Sequence, residues 1–178
     1  MKITKQLLVL LILLLLMVGT TGCWDNRDLT ELAIGTAIGF DKAGGEDIQV
    51  TIQIVKPGAI GPQAQGEEEP VWVYSASGET VFSAIRNLLA TVNRKTYFGH
   101  IQLIVVSEEI AREGIINILD LFERDSETNR QSNILITKGL TAKKVLEAQS
   151  ELEDIPAMHI IDIIENNSDL AKIKSMEI

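Results

Sequence analysis

The first 25 residues constrain the rest of the chain most, because they hold its longest apolar run. Lys2 and Lys5 precede twelve consecutive apolar residues, 7–18. A run of this length is shorter than the roughly 20 residues that cross a bilayer. A positive start, a short apolar middle and small residues up to Gly22 are the layout of a secretory signal peptide. We therefore predict a leader over residues 1–22 that takes no part in the fold.

The only cysteine of the chain, Cys23, follows Gly22 directly. The sequence before it resembles a bacterial lipobox, although Thr20 stands where lipoboxes usually carry leucine. The resemblance implies cleavage between Gly22 and Cys23, and a diacylglyceryl group on the Cys23 sulfur. Two acyl chains attach a protein stably to a membrane, whereas one chain holds only marginally. An uncleaved anchor helix or a free thiol is the alternative interpretation.

The residues after this leader form an acidic chain of ordinary domain size. Removal of residues 1–22 leaves 156 residues, and the loss of Lys2 and Lys5 takes the formal charge from −9 to −11. Such a charge disfavours nucleic acid as a partner, because Lys and Arg must neutralise its phosphates. It also predicts no attraction to an anionic membrane, so that the acyl chains must hold the protein. With Cys23 acylated, neither a disulfide nor a thiolate metal site can form.

Composition divides the chain after Gly22 into a tether (23–30), a domain (31–166) and a polar tail (167–178). Trp24 in the tether either rests at the level of the lipid headgroups or packs on the edge of the domain. Residues 32–41 and the alternating residues 48–54 predict two strands joined by a turn at Gly44 and Gly45. This β-hairpin is expected to place one face on a core. Residues 57–70, rich in Pro and Gly, predict either a solvated insertion or a binding loop.

Predicted strands and helices alternate after residue 70. Strands are predicted over 71–77, 97–106 and 133–137, with 97–106 at the centre of the sheet. Helices are predicted after Ser77 or Thr80, after Ser107, from Thr141 to residue 149, and over 157–166 behind Pro156. The first of them carries an apolar stripe, formed by Val81, Phe82, Ile85, Leu88, Leu89 and Val92. Gly114 interrupts or caps the helix after Ser107, and a second stripe follows it, formed by Ile115, Ile116, Leu119 and Phe122. This order predicts an α+β or α/β fold, with a mixed sheet covered by helices.

The sequence offers no catalytic or metal-binding constellation. Neither His100 nor His159 has a metal-ligand neighbour at helix or turn spacing, and the chain lacks phosphate-loop and nucleophile-elbow motifs. We expect His100 to be a structural histidine at the start of a strand, with a catalytic base as the alternative, and His159 to be half-buried on a helix. Glu108, Glu109 and Glu113 predict a solvated helix face. No enzymatic activity, metal or cofactor is expected.

Several segments, taken together, resemble the Ger(x)C family, the lipoprotein C subunits of spore nutrient-germinant receptors. The resemblance begins at Cys23-Trp24-Asp25, with Arg27 and Leu29 close behind. It continues in LAIGTAIGFDK (32–42), SASGETVFSAIRN (75–87), YFGHIQLIVVSEEIAREGI (97–115), RDSETNR (124–130) and NILITKG (133–139). Nearly all of the chain after residue 22 is therefore covered.

The resemblance implies a non-enzymatic receptor subunit on the outer face of the spore inner membrane. Such subunits work with an integral-membrane A subunit and a permease-like B subunit, and nutrients then trigger germination. Family members usually carry further domains after the first one. The chain is thus expected to correspond to the N-terminal domain, with residue 178 preceding missing C-terminal domains.

This interpretation assigns partner contacts to six residues: Trp24, Asp25, Tyr97, Phe98, Arg124 and Arg130. For residues 124–130 the alternative is a solvated connection with internal ion pairs. A second class of function is a solute-binding lipoprotein that captures a small nutrient, which requires a pocket with convergent polar groups. A third class, an envelope hydrolase, depends on His100 as a base.

Overall fold

A computed structural model describes residues 2–19, 32–56, 69–124, 131–149, 153 and 155–167 of the chain. The helices are α1 (Lys2–Gly19), α2 (Val81–Thr91), α3 (Glu108–Glu113), α4 (Ile116–Arg124), α5 (Ala142–Leu146) and α6 (Pro156–Asn167). The strands are β1 (Leu32–Lys42), β2 (Ile48–Val55), β3 (Val71–Gly78), β4 (Lys95–Tyr97), β5 (Leu103–Ser107) and β6 (Asn133–Thr137). Within the described residues, no helix has the length and apolarity needed to cross a membrane. The predicted tether and most of the 57–70 loop lie outside these residues.

The strands form one mixed sheet. Its order is β3-β2-β1-β5-β6, and β4 pairs with the beginning of β1. The β1–β2 and β2–β3 pairs are antiparallel, whereas β4 and β5 run parallel to β1, and β6 runs parallel to β5. Gly44 and Gly45 form the β1–β2 turn with φ angles of 94° and 61°, which suit glycine. The predicted α+β class, with helices on a mixed sheet, is confirmed.

Helices cover both faces of this sheet. On one face α2, α3 and α4 pack on an apolar cluster that includes Ile38 and Phe40 of β1. On the other face α5 and α6 pack on a second cluster that includes Ala37 of β1. Because successive strand side chains point to opposite faces, both sets of residues in β1 are buried. The hairpin prediction is confirmed, but its single buried face is wrong, since Thr51 and Gln53 of β2 are also fully buried.

Gln53 shows how the second face accommodates a polar strand residue. Its Oε1 accepts hydrogen bonds from Thr36 Oγ1 at 3.1 Å and from the Ala157 N–H at 3.4 Å. Its Nε2 donates to the carbonyl oxygen of Leu146 at 2.9 Å. A buried amide is tolerated when its hydrogen bonds are made. Gln53 therefore connects β2 to β1, to the end of α5 and to the start of α6.

Asp41 holds the beginning of α5 in a similar way. The residue is 2% exposed, and its carboxylate accepts hydrogen bonds from the N–H groups of Ala142, at 2.6 Å, and Lys143, at 2.9 Å. The first N–H groups of a helix have no partner inside it, and a negative charge there is stabilising. Thr141 caps the same helix, as predicted, by accepting from the Lys144 N–H. The helix ends at Leu146, so its predicted extension to residue 149 is wrong.

Replacement of Asp41 by asparagine is expected to lower the free energy of unfolding by about 1–3 kcal/mol. An asparagine side chain has one oxygen and one NH₂ group, so Asp41→Asn can accept from only one of the two helix N–H groups. The substitution also removes the negative charge at the start of the helix. Urea unfolding followed by circular dichroism measures the change. Asp162→Asn on the exposed side of α6 is the matched control, and we expect it to stay within about 0.5 kcal/mol of the parent. Equal stability of the two variants would contradict the assigned role of Asp41.

The sequence predicted one strand over 97–106, and this prediction is wrong, because β4 ends at Tyr97 and β5 begins at Leu103. Tyr97 lies opposite Ile34 of β1, and Leu103 lies opposite Ala37. Between these pairs β1 advances by three residues and the other segment by six, so the surplus must leave the sheet. It does so at a turn that includes Gly99. Of this segment only β5 is an interior strand, between β1 and β6, and β1 occupies the middle of the order β3-β2-β1-β5-β6.

The two predicted apolar stripes are wider than the faces that the sheet covers. In α2 the buried residues are Val81, Ala84 and Leu88, whereas Phe82 is 62% and Leu89 38% exposed. In α4 the buried residues are Ile118 and Phe122, whereas Ile116 is 77% exposed. Phe82, Leu89 and Ile116 therefore belong to the predicted stripes but lie outside the buried faces. A helix buries only the side that touches its neighbour, and adjacent residues point about 100° apart.

The acidic helix α3 faces solvent with Glu109 and Glu113, as expected of a solvated face. Glu113 nevertheless forms an ion pair with Lys42 at 2.6 Å. The hydrogen bond to Glu113 and its charge raise the pKa of Lys42 above 10.5, against a smaller lowering by burial. Because the folded-state pKa is raised, the stabilisation by this pair is present at neutral pH and is lost as the pH rises through that pKa.

Candidate partner-binding groove

A groove of about 810 Å³ separates α2 from α4, and we call it the α2–α4 groove. One wall is a face of α2, formed by Phe82, Ile85 and Leu89. The other wall is a face of α4, and side chains of the sheet close the base. The residues from α4 and from the base are Asn117, Asp120, Leu121, Phe122, Arg124, Ile38 and Ile48. Most of the lining is therefore apolar.

Local sequence places these side chains on facing helix surfaces. Phe82, Ile85 and Leu89 are spaced three and four residues apart, which puts them on one side of α2. Thr80 and Ser83 fix the first turn of α2 with a capping box, in which each side chain bonds the backbone N–H of the other residue, at 2.9 and 3.1 Å. This turn carries Phe82, so the capping box also sets the position of that ring at the mouth of the groove.

The polar groups at the mouth are few and mostly occupied. Arg124 Nε lies 2.7 Å from Asp120 Oδ1, four residues earlier on α4. Thr80 is engaged in the cap of α2. Among the described residues, neither Glu79 nor Asn117 has a hydrogen-bonded or charged side-chain partner. The groove thus presents an apolar surface with an acidic group at one edge, and not a converging set of polar groups.

The structure brings together two of the residues that the sequence assigned to partner contact. Phe98 and Arg124 both line the α2–α4 groove. Tyr97 precedes Phe98 at the end of β4 and is half-buried. The other assigned residues, together with the lipobox residues, lie outside the described part of the chain: Gly22, Cys23, Trp24, Asp25 and Arg130. Segment 124–130 is described only at Arg124, which pairs with Asp120 inside α4, so the ion pairs predicted within the segment stay a prediction.

The two histidines lie apart from the groove. His100 is exposed in the turn between β4 and β5, where its ring meets that of Tyr97 edge-on at 5.6 Å between centroids. Its expected place at the start of a strand is therefore wrong, because the turn delays β5 until Leu103. His159 is half-buried on α6, as predicted. In the ranges that the structure describes, no three His, Cys, Asp or Glu side chains lie close enough to hold a metal ion.

The exposure of Phe82 and Leu89 was missed by the sequence analysis, although a signal was present. Val81-Phe82 and Leu88-Leu89 are adjacent apolar pairs at the two ends of one stripe. Neighbouring residues of a helix point about 100° apart, so both members of such a pair cannot face the same sheet. A stripe that is too wide for one contact indicates a second contact surface on the same helix.

Comparison with known proteins gives a family for the chain. The family model described as the spore germination protein N-terminal domain matches residues 25–178. Spore germination protein KC of Bacillus subtilis (strain 168) is 32% identical over 158 residues, which are 86% of this chain and 39% of that protein. Spore germination protein A3 of the same organism is 33% identical over 160 residues, 88% of this chain and 41% of that protein.

Spore germination protein B3 of Bacillus subtilis (strain 168) is 25% identical over 164 residues, 91% of this chain and 43% of that protein. The chain therefore spans less than half the length of these three relatives. No solved structure gives a significant match. The chain belongs to the family that its segments resemble, the Ger(x)C spore germination proteins, and corresponds to their N-terminal domain.

Proposed function

We propose that this protein is a lipid-anchored, non-enzymatic subunit of a spore germinant receptor. It acts in nutrient-triggered germination with an integral-membrane A subunit and a permease-like B subunit, on the outer face of the spore inner membrane. The observation that carries the proposal is the family match over residues 25–178, with relatives that are named spore germination proteins. The lipobox resemblance at Cys23 supports the anchor.

The α2–α4 groove is the surface that we assign to a receptor partner. Phe82 is 62% and Leu89 38% exposed there, and exposed aromatic and aliphatic side chains in a groove are typical of binding sites. Glu79 at the mouth and the formal charge of −9 favour an occupant with basic side chains. We therefore assign the groove to an apolar segment of the A or B subunit that is flanked by Lys or Arg.

Direct capture of a small nutrient has less support. Amino acids and sugars need several polar groups that converge on one point. In the groove, Asp120 and Arg124 are paired with each other, and Thr80 caps α2. Titration calorimetry of the protein with amino acids and sugars separates the two functions, because a direct binder must release or absorb saturable heat. We expect no such heat.

Groove variants test the assignment of this partner site. The double variant Phe82→Asp/Leu89→Asp is expected to reduce co-purification of the A and B subunits from spore membranes by about tenfold or more, as loss of a central interface contact does. Quantitative mass spectrometry of the tagged protein's co-purified subunits is the measurement. Ile116→Asp is the matched control, because Ile116 is 77% exposed on α4 and does not line the groove.

Circular dichroism of all variants shows whether the fold is retained. Equal recovery of both subunits with the groove variant and the control would refute the groove as the partner site. Failure of the unaltered protein to recover either subunit would refute the receptor proposal itself.

A further inference from the structure

The end of the sheet at which β1 begins carries a group of basic side chains. In the β1–β4 pair, Lys95 lies directly opposite Leu32, the first residue of β1. On the other side of β1, Lys56 follows Val55, the last residue of β2. Neighbouring strands are about 4.8 Å apart, so these strand ends lie beside one another. Two lysines thus flank the point where the chain enters the domain.

The Trp72 ring contacts two of the cations at this end of the sheet, Lys56 and Arg94. Lys56 Nζ lies 5.1 Å from the centre of the Trp72 ring, and Arg94 Cζ lies 5.3 Å from it. Both distances are within the range of cation–π attraction. Trp72 pairs with Ile54 at the same end of the sheet. We call Lys56, Trp72, Arg94 and Lys95 the basic edge.

Among the residues that the structure describes, the charges of the basic edge have no acidic partner. Several cations elsewhere form ion pairs: Lys42 with Glu113, Arg124 with Asp120 and Lys143 with Glu147. Over the described ranges, no carboxylate lies within 4 Å of the charged groups of Lys56, Arg94 or Lys95.

Glu69 lies beside Pro70, whose carbonyl oxygen accepts from the Lys56 N–H. The Glu69 carboxylate is instead 3.5 Å from Gln149 Nε2. No acid in the described ranges therefore occupies these cations, and they can meet an anion from outside.

The proposed anchor brings this edge close to a membrane. Cys23 and Leu32 are nine residues apart, and a fully extended chain of that length spans at most about 30 Å. Lys95 is directly opposite Leu32, so the backbone of Lys95 lies at most one strand spacing, about 4.8 Å, farther from Cys23 than that of Leu32 does. Tryptophan, lysine and arginine are the side chains that settle at membrane interfaces, the cations on lipid phosphates and the indole at headgroup level.

We propose that the basic edge rests on anionic lipid headgroups of the membrane to which Cys23 is attached, and so orients the domain with the end of β1 away from the bilayer. The proposal rests on the lipid anchor proposed above. It also differs from the expectation, drawn from the net charge, that an anionic membrane does not attract the chain. An overall acidic chain is repelled on average, yet screening limits each interaction to about 8 Å at physiological salt, so the nearest side chains decide.

Fluorescence of Trp72 tests the proposal. In a Trp24→Phe background Trp72 is the only tryptophan of the chain. The membrane-purified protein is reconstituted into vesicles of phosphatidylcholine, with or without phosphatidylglycerol, that contain a headgroup spin label. We expect stronger quenching of Trp72 in the phosphatidylglycerol vesicles, and loss of the difference when salt shortens the screening length from about 10 Å at 0.1 M to about 3 Å at 1 M.

Charge variants show which cations act. Each basic residue near an anionic surface contributes about fivefold, so Lys56→Gln/Lys95→Gln is expected to shift the ratio of docked to undocked domains by about 25-fold. The control is Lys138→Gln/Lys144→Gln, which removes the same charge from exposed residues that follow β6 and lie in α5. The control is expected to keep the quenching difference.

Equal quenching of Trp72 in both kinds of vesicle would overturn the proposal. An equal loss of the quenching difference in Lys56→Gln/Lys95→Gln and in Lys138→Gln/Lys144→Gln would overturn it as well. A quenching difference that appears only after spore membrane proteins are added would also overturn it, in favour of an acidic protein partner. Failure of the anchor is recognised separately, because the intact mass of the same sample then lacks acyl chains on Cys23.

Discussion

Gln53→Ala is expected to lower the free energy of unfolding by about 3–5 kcal/mol. The substitution leaves the Leu146 carbonyl and the Ala157 N–H without the amide that bonds them, whereas the Thr36 hydroxyl keeps its 3.4 Å bond to the main-chain carbonyl oxygen of residue 53. Each unsatisfied buried group costs about 1–3 kcal/mol, and the vacated volume adds a cavity. Because small domains are stable by only about 5–15 kcal/mol, the change removes a large part of the total.

Urea unfolding measures this loss as a lower midpoint with an unchanged slope. Gln49→Ala is the matched control, because Gln49 lies four residues earlier on β2, on the same face, and is only half-buried. We expect the control to cost about 1 kcal/mol or less. If the two variants were equally stable, the hydrogen bonds of Gln53 would not be what joins β2 to α5 and α6.

Cys23→Ala is expected to abolish acylation completely and to leave residues 1–22 in place. The unaltered protein, purified from membranes, is expected to begin at Cys23 and to carry a diacylglyceryl group. Each buried methylene of those chains contributes about 0.8 kcal/mol, so two chains hold the protein where one would exchange. Intact-mass spectrometry measures both changes, and detergent-phase partition follows the acyl chains.

Trp24→Ala serves as the control, since it alters the next residue and keeps the sulfur. It is expected to show the same mass adduct and the same cleaved N-terminus as the unaltered protein. A free thiol on Cys23 in the membrane-purified protein, or an intact leader, would disprove the anchor. The family assignment would stand, because it rests on residues 25–178.

Local signals explain which parts of the fold could be predicted. The Gly44-Gly45 turn, the Thr80 cap of α2 and the Pro156 start of α6 depend on residues close together in sequence. Strand β6 follows from five residues of β-compatible type. In each case neighbouring side chains and backbone preferences decide the conformation, so a short window of sequence contains the necessary information.

Distant contacts explain what could not be predicted. Gln53 alternates with isoleucines and so appeared solvent-facing, yet its partners Leu146 and Ala157 come 93 and 104 residues later. Asp41 bonds Ala142, 101 residues away. No local pattern reveals that α5 and α6 return to cover this face of the sheet. The turn that divides 97–106 has the same cause, since it follows from the register of two strands against β1.

The candidate sites show the same division. The sequence alone determined the family and most of the strands and helices, because motifs and periodicities are read along the chain. Only the tertiary structure decided that Phe82 and Leu89 line a groove and that Lys56, Arg94 and Lys95 meet around Trp72. The exposure of a side chain and the charge around it depend on which elements pack together, and the total composition of the chain contains neither.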